Sequence, residues 1–383
     1  MNFVSVEWLL WGSLTVSLYW LAPRQWRDRI LVALTLAMLL VHAPVSAGLL
    51  TGLTIAIYLL AKARPLPSWR ALLAGGLVAV PLIYFKLGAN ILEANLVRDL
   101  IVPLGLAYYA LRLFLYIIDS YVGTIPDHRF EHFVSYLYFL PTIVVGPIHR
   151  FGQFLTDYQY KRWDSQNLSE GLQRIVYGYV KIVILGNYLT TGVFGSFVGS
   201  IGPDDQALRG YLETVRQGLN LYFQFSGFSD IAIGFALLLG YRIIENFHWP
   251  FLQTNISDFW RCWHISLTSF AREHVYRVIF SVSRNVSLSV MGTMLFIAMW
   301  HELSLRYVVW GLYHFAGIMV WQLSQTYLSP RLPTIETVWL ARAINGVKIF
   351  VTANFVWFSF IIVRQPDLGS ALEVYRIILF GWI

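Results

Sequence analysis

Two shortages set the limits of this 383-residue chain: it holds a single cysteine, Cys262, and only 13% of its residues are charged. One thiol excludes an intramolecular disulfide and a thiolate metal cluster. The charged fraction is about half that of soluble domains, which excludes an ordinary water-soluble globule. Residues Met1 to Ala22 lack a basic n-region and a small-residue cleavage site and carry Glu7 instead, so they read as a retained first helix and not as a signal peptide. No internal repeat, low-complexity linker or stretch of soluble-domain size interrupts the chain, and residues 1–383 read as one integral-membrane domain. In abundance are hydrophobic residues, at 57%, and aromatics, at 16% with 15 Trp and 22 Tyr, more than interfacial belts need; some are expected to line an internal pocket. The net charge of +7 would point to nucleic acid in a soluble protein. In a membrane protein the positive-inside rule accounts for it, and nucleic acid is set aside.

Apolar runs of spanning length fall near 4–22, 29–48, 49–62, 71–90, 100–119, 171–198, 208–241, 287–301, 304–325 and 338–363, with an amphipathic run at 368–383. They predict an all-α multi-pass membrane protein of roughly nine to twelve helices. Arg24, Arg27 and Arg29 follow the first run and Lys62, Arg64 and Arg70 the third, whereas the turn around His42 to Ser46 has no Lys or Arg. That alternation places the N-terminus outside and the two basic loops in the cytoplasm. The stretch SYLYFLPTIVVGP, 135–147, is interrupted by Pro141 and by Gly146-Pro147 and reads as a re-entrant hairpin or half-helix lining a central cavity. Lys161, Arg162, Asp164 and Glu170 after it read as a solvated connector.

Chemistry concentrates between residues 246 and 314. The first part, about 246–276, is too charged and too rich in Trp to cross a bilayer. Within 255–276, Ser257 or Asp258 is placed to cap a helix on which Trp260, Trp263, His264, Leu267, Phe270 and His274 share one face, an amphipathic helix at the membrane surface or under the bundle. The second part, about 287–314, is lipid-soluble except at His301, Glu302 and Arg306. An ionisable group at membrane depth is expensive and faces a protein-lined cavity, which makes His301 the candidate catalytic centre. A neutral imidazole can take the proton of a hydroxyl as its oxygen attacks an acyl carbon, and transfer from a thioester needs neither an enzyme nucleophile nor a metal. His264 then orients substrate or stabilises charge. Composition alone leaves a hydrogen-bonding structural role open for both histidines.

Metal binding finds no support in the spacing of His264, His274, His301 and His314, which share no His-x₃-His or Cys-His pattern on one helix face. Cys262, two helix positions before His264, points about 200° away from it and reads as a buried, inert thiol. In YFQFSGFSDIAIGFALLLG, 222–240, Gln224, Ser226, Ser229 and Asp230 interrupt an apolar span. Gly227 and Gly234 read as sites of close helix packing, and Asp230 needs a partner, with Arg242 or Arg261 within reach if the chain folds back. A transporter or channel is the competing class. It predicts an inverted repeat with paired broken helices, whereas one interrupted hairpin is present, so an enzyme is favoured.

Several stretches together resemble the membrane-bound O-acyltransferase family: FSGFSDIAIG at 225–234, IENFHWPF at 244–251, FWRCWHISL at 259–267 and MWHELSLRYVVWGLYH at 299–314, with VPLGLAYYALRLFLYIIDSYVG and FLPTIVVGPIHRF upstream. The resemblance covers about 100–314. It implies a helical ring around a thinned core, with a central tunnel whose funnels meet at a histidine. His301 matches the family's essential histidine and His264 the second one. Trp260, Trp263, Asp258 and Asn246 are then expected to line or support the tunnel, with Gln224, Asp230, Trp300, Glu302 and Pro147. Glu302 departs from the usual glycine and Cys262 from the second arginine of FWRRWH. The implied activity is transfer of an acyl group, acetyl foremost, from a cytoplasmic thioester to a hydroxyl of an extracytoplasmic polysaccharide or cell-envelope glycan in the bacterial inner membrane; the runner-up is D-alanyl transfer toward teichoic acid-like polymers. The expected partners are the lipid bilayer, acetyl-CoA or an acyl carrier protein as co-substrate, and an acceptor or partner acyltransferase outside. No resident cofactor or metal is expected.

Overall fold

The computed structural model describes residues 5–62, 65–91, 105–143, 145–331 and 337–381. Val4, Arg64, residues 100–104 of the fifth apolar run and Val144 of the interrupted segment lie outside the described residues. Among the described residues the chain is helical, and its one β-type pairing is an isolated antiparallel bridge between Phe247 and Trp263. Ser68–Leu87, Ser165–Gly199, Pro203–Leu238 and Val338–Arg364 are long and apolar enough to cross a bilayer, and Pro44–Leu60 and Val286–His301 are shorter apolar helices. Three more of the apolar runs form helices of 16 or 17 residues, Val6–Leu21, Arg27–His42 and Leu106–Val122. These fall short of the about 20 residues that a full crossing takes. The second and third runs part at Ala43 instead of residue 48, because Pro44 has no N–H to continue a helix and suits the first position of a new one.

By its internal contacts the chain divides into two compact units, residues 1–180 with 227–244, and residues 181–226 with 245–383. In the first unit, the helix from Ser165 crosses the C-terminal part of Gln206–Leu238 backbone to backbone. A Cβ on Gly234 would sit 2.6 Å from the Gly171 carbonyl oxygen, and one on Gly178 2.6 Å from that of Gly227. The expected close packing of Gly227 and Gly234 is present, and no larger residue fits. Arg174, on the same crossing, pairs with the buried Asp230 at 2.9 Å. The two arginines expected to reach Asp230 are engaged elsewhere: Arg242 with Asn167 and Glu170, Arg261 with Asp258.

The connector after Tyr160 is not wholly solvated. Lys161 is buried, its side chain 4% exposed, because its ammonium donates to Asp28 Oδ2 at 2.8 Å. Asp28 Oδ1 accepts from Tyr241 at 2.8 Å and from Tyr19 at 3.4 Å. Burial holds the Lys161 ammonium below the usual lysine range, and the Asp28 charge offsets part of that effect. The segment interrupted by Pro141 folds as a short helix, Phe130–Leu137, and one tight turn, Leu140–Thr142, and residues 146–149 beyond it are buried outside regular structure. Tyr136 satisfies part of that irregular backbone, donating to the His149 carbonyl at 2.8 Å.

In the second unit, Val286–His301 and Leu305–Leu323 form a tight helical hairpin. Gly311 allows their contact: a Cβ there would lie 3.0 Å from both the Met294 carbonyl oxygen and Ala298 Cβ. The three-residue link is fastened by Arg306, which pairs with Glu302 at 2.9 Å and donates to the Gln365 carbonyl just beyond Val338–Arg364. Residues 255–276 do not form one helix. Asn255, not Ser257 or Asp258, caps Ile256–Cys262 by accepting from the Asp258 N–H at 2.9 Å. The helix then stops at Trp263, the chain turns through His264 with a left-handed φ of 45°, and Ile265–Ala271 begins anew. The interruption comes from non-local hydrogen bonds: His248 N–H donates to the Cys262 carbonyl at 3.0 Å, and Ile265 N–H to the Asn246 carbonyl at 2.9 Å.

Candidate functional site

The second unit holds most of the residues singled out above, and their positions follow from the break at His264. Asn246 is fully buried, and its side-chain Oδ1 accepts from the Ser266 N–H at 3.2 Å and the Ser266 hydroxyl at 2.9 Å. Its main chain and side chain therefore both hold the start of Ile265–Ala271, which fixes where the preceding imidazole points. His264 is 1% exposed, with its ring edge-on to Phe225 at 4.8 Å and 5.6 Å from Trp300. Trp263 turns the other way, into a nest of Phe247, Phe251 and Phe259, with Phe259 stacked on it at 5.6 Å. Asp258 stays near the surface, occupied by the Asn255 amide and by Arg261.

His301 is the last residue of Val286–His301, and unlike His264 it is exposed. The helix ends at this residue and the chain turns away through Glu302. Its ring centre lies 6.2 Å from that of His264, 6.0 Å from Tyr307, on which it stacks, and 6.0 Å from Trp310, which it meets edge-on. Trp300 packs against it at 4.9 Å. One imidazole of the pair is thus sealed among aromatics and the other is open to a ligand. The Glu302 carboxylate beside it meets the Arg306 guanidinium, so its negative charge has a cationic partner.

A buried network supports this wall. Trp260 donates its indole N–H to His314 Nδ1 at 3.3 Å, and His314 Nε2 lies 3.0 Å from the Ser359 hydroxyl. With Nδ1 accepting, the ring proton sits on Nε2 and is donated to Ser359. The same hydroxyl accepts from Trp310 at 3.2 Å and donates to the Val356 carbonyl at 2.6 Å. Both ring nitrogens of His314 are used, so it positions Trp260 and Trp310 and has no lone pair to serve as a base. His314 and Ser359 were not among the expected site residues. The WGLYH ending was the visible signal for the first, whereas nothing local marks Ser359.

Gln224 also belongs to this unit, where its amide donates to Asn187 at 2.6 Å. Pro147 and Asp230 belong to the first unit. Asp230 is committed to Arg174, and Pro147 follows Gly146, whose φ of 151° and 3.0 Å clearance to Ala232 Cβ exclude a side chain.

A model of the membrane-bound O-acyltransferase family matches residues 95–363. Among similar proteins, a probable alginate O-acetylase of Pseudomonas fluorescens is 30% identical, covering 82% of this chain and 61% of its own length. A probable alginate O-acetylase of Pseudomonas aeruginosa is 28% identical over 74% of this chain and 53% of its own. The teichoic acid D-alanyltransferase of Bacillus subtilis is 28% identical over 69% of each chain. The chain therefore spans between half and two thirds of the length of these two alginate O-acetylases. With 269 of its residues, 95–363, matched by the family and the two histidines set side by side, the chain belongs to the membrane-bound O-acyltransferase family.

Proposed function

We propose that the chain transfers an acyl group, acetyl foremost, from a cytoplasmic thioester to a hydroxyl of an extracytoplasmic polysaccharide or cell-envelope glycan. The donor in this reading is acetyl-CoA or an acyl carrier protein, and the protein sits in the bacterial inner membrane with its N-terminus outside. The observation that carries the reading is the pairing of an open imidazole, His301, with a sealed one, His264. His301 takes the acceptor's proton as the hydroxyl oxygen attacks the thioester carbonyl. The C–S bond then breaks, and the departing thiolate receives that proton from the imidazolium. General-base assistance of this kind contributes roughly 10²- to 10⁴-fold. His264 stays out of proton transfer and holds the wall against which the acyl carbon is presented.

A second reading, D-alanyl transfer from a carrier protein toward a teichoic acid-like polymer, rests on the 28% identity to the Bacillus subtilis teichoic acid D-alanyltransferase over 69% of each chain. Mass spectrometry of envelope glycans from a deletion strain tests both. Acetyl esters should disappear and return with the wild-type gene but not with His301→Gln, which keeps size and hydrogen bonding without a base. Loss of D-alanyl esters instead selects the second reading. Unchanged esters in the deletion strain, or full restoration by His301→Gln, would sink the assignment.

A further inference from the structure

Arg112 lies in Leu106–Val122 and belongs to the first unit, whereas the two histidines belong to the second. It is 1% exposed, the largest of the fully buried side chains. A guanidinium is protonated at any physiological pH, so this is a full positive charge without water. Its Nη1 donates to the Tyr136 carbonyl at 3.2 Å, whereas Nε and Nη2 have no hydrogen-bond partner. Tyr109 and Tyr136 offer ring faces at 5.6 and 5.9 Å, close to the outer limit for a cation–π contact. No Asp or Glu among the described residues forms an ion pair with it, in contrast to the buried Lys161, which has Asp28, and to Arg174, which has Asp230. Leaving a buried charge uncompensated is among the most destabilising arrangements a fold can hold.

The two idle nitrogens are the informative pair. Nε–H and the N–H of Nη2 on the same edge of the guanidinium form the side-on fork, two parallel donors whose spacing matches the two oxygens of a carboxylate. A second orphan lies nearby. His149 is buried with Nε2 unpartnered, its ring 5.0 Å from that of Tyr136, while its Nδ1 faces the Thr142 hydroxyl at 3.4 Å. Tyr136 links the two groups, accepting from Arg112 with its carbonyl and donating to the His149 carbonyl with its hydroxyl.

We propose that the Arg112 fork, flanked by Tyr136 and His149, is an internal binding site for a carboxylate anion. The bound carboxylate accepts both guanidinium N–H bonds, neutralises the buried charge and secures the backbone of Tyr136 and His149 beside it. This assignment is independent of the acyltransferase reading. Its ligand comes either from a free small acid or from a uronate residue of a glycan, which present the same group to the fork.

Equilibrium binding of radiolabelled acetate to the full chain in detergent, at constant ionic strength, tests the site. Saturable binding near one per chain is expected, together with a rise in melting temperature that chloride does not reproduce. Arg112→Gln should lose both, and because it carries no charge to strand it should melt no lower than the acetate-free wild type. If Arg112→Gln fails to fold, competition on the wild-type protein still decides. Displacement by formate identifies a small-acid site, displacement by an oligouronate but not by formate a glycan carboxylate, and either supports the assignment. Absence of saturable acetate binding to the wild type, binding undiminished in a folded Arg112→Gln, or displacement by chloride as efficient as by formate would overturn it.

Discussion

The rings of His264 and His301 lie 6.2 Å apart, the first 1% exposed and the second open. His301, the exposed member of the pair, is the one a hydroxyl can reach. In the proposed mechanism the sealed partner, His264, acts through shape. Because its backbone is left-handed, substitution there tests two things at once, and the variants must separate them.

Asn tolerates the left-handed region better than Ala, which costs on the order of 1–2 kcal/mol there. His264→Asn should therefore lower acyl transfer at least tenfold with little change in melting temperature, whereas His264→Ala should lose activity and also melt earlier. Cys262→Ser should keep most activity. A folded but inactive Cys262→Ser protein would point to an acyl-enzyme on sulfur.

Ser359→Ala removes the acceptor shared by His314 and Trp310 and leaves two buried N–H groups unsatisfied. Each orphan costs about 1–3 kcal/mol, so a clear drop in melting temperature is expected. Turnover should fall with it, since Trp310 is one wall of the His301 environment. An unchanged melting temperature would show that the network is idle.

Lys161 binds its proton less tightly in the folded chain than in the unfolded one, because burial dominates. Stability should accordingly rise with pH between its lowered folded value and the unfolded value of about 10.4. Below that window the charged form is held by Asp28, by the Tyr158 carbonyl at 2.9 Å and by the Tyr158 ring face. Asp28→Asn should cost roughly 3–5 kcal/mol at neutral pH, and the double variant with Lys161→Met should recover part of it, because no buried charge is then stranded. Thermal melts at several pH values read both effects.

The proposed orientation puts Arg27 and Arg64 in the cytoplasm. In a Cys262→Ser background, Arg27→Cys and Arg64→Cys should react with an impermeant thiol reagent only after cells are opened. Labelling of either in intact cells would reverse the assignment.

Much of this architecture was legible in advance, and its lapses share one cause. Apolar run length located the spans, and Gly227 and Gly234 announced a close crossing, because those signals are carried by neighbouring residues. The break at His264 was invisible to helical periodicity, since it arises from hydrogen bonds to Asn246 and His248, which lie well upstream. Arg174 as the partner of Asp230, and Asp28 as the reason Lys161 is buried, are likewise pairings between distant parts of the chain. His264 and His301 were legible as candidates because an ionisable residue within an apolar or aromatic stretch stands out. Ser359 was not, because a serine in an apolar helix is common and only three-dimensional proximity to His314 and Trp310 gives it a task.

The tie between Asn246 and Ile265 makes the intervening segment a closed loop with unequal tolerance for insertions and deletions. Around Gln253 and Thr254, between the tight turn Pro250–Leu252 and the helix from Ile256, a gain or loss of one residue can be absorbed while both ends remain clamped. Within Ile256–Cys262 a single deletion would rotate the residues on its N-terminal side by about 100° relative to those on its C-terminal side. Trp260 would then swing off His314, and the wall beside His301 would lose its brace. Length variation among natural relatives of this chain should therefore be permitted on one side of Asn255 and excluded on the other.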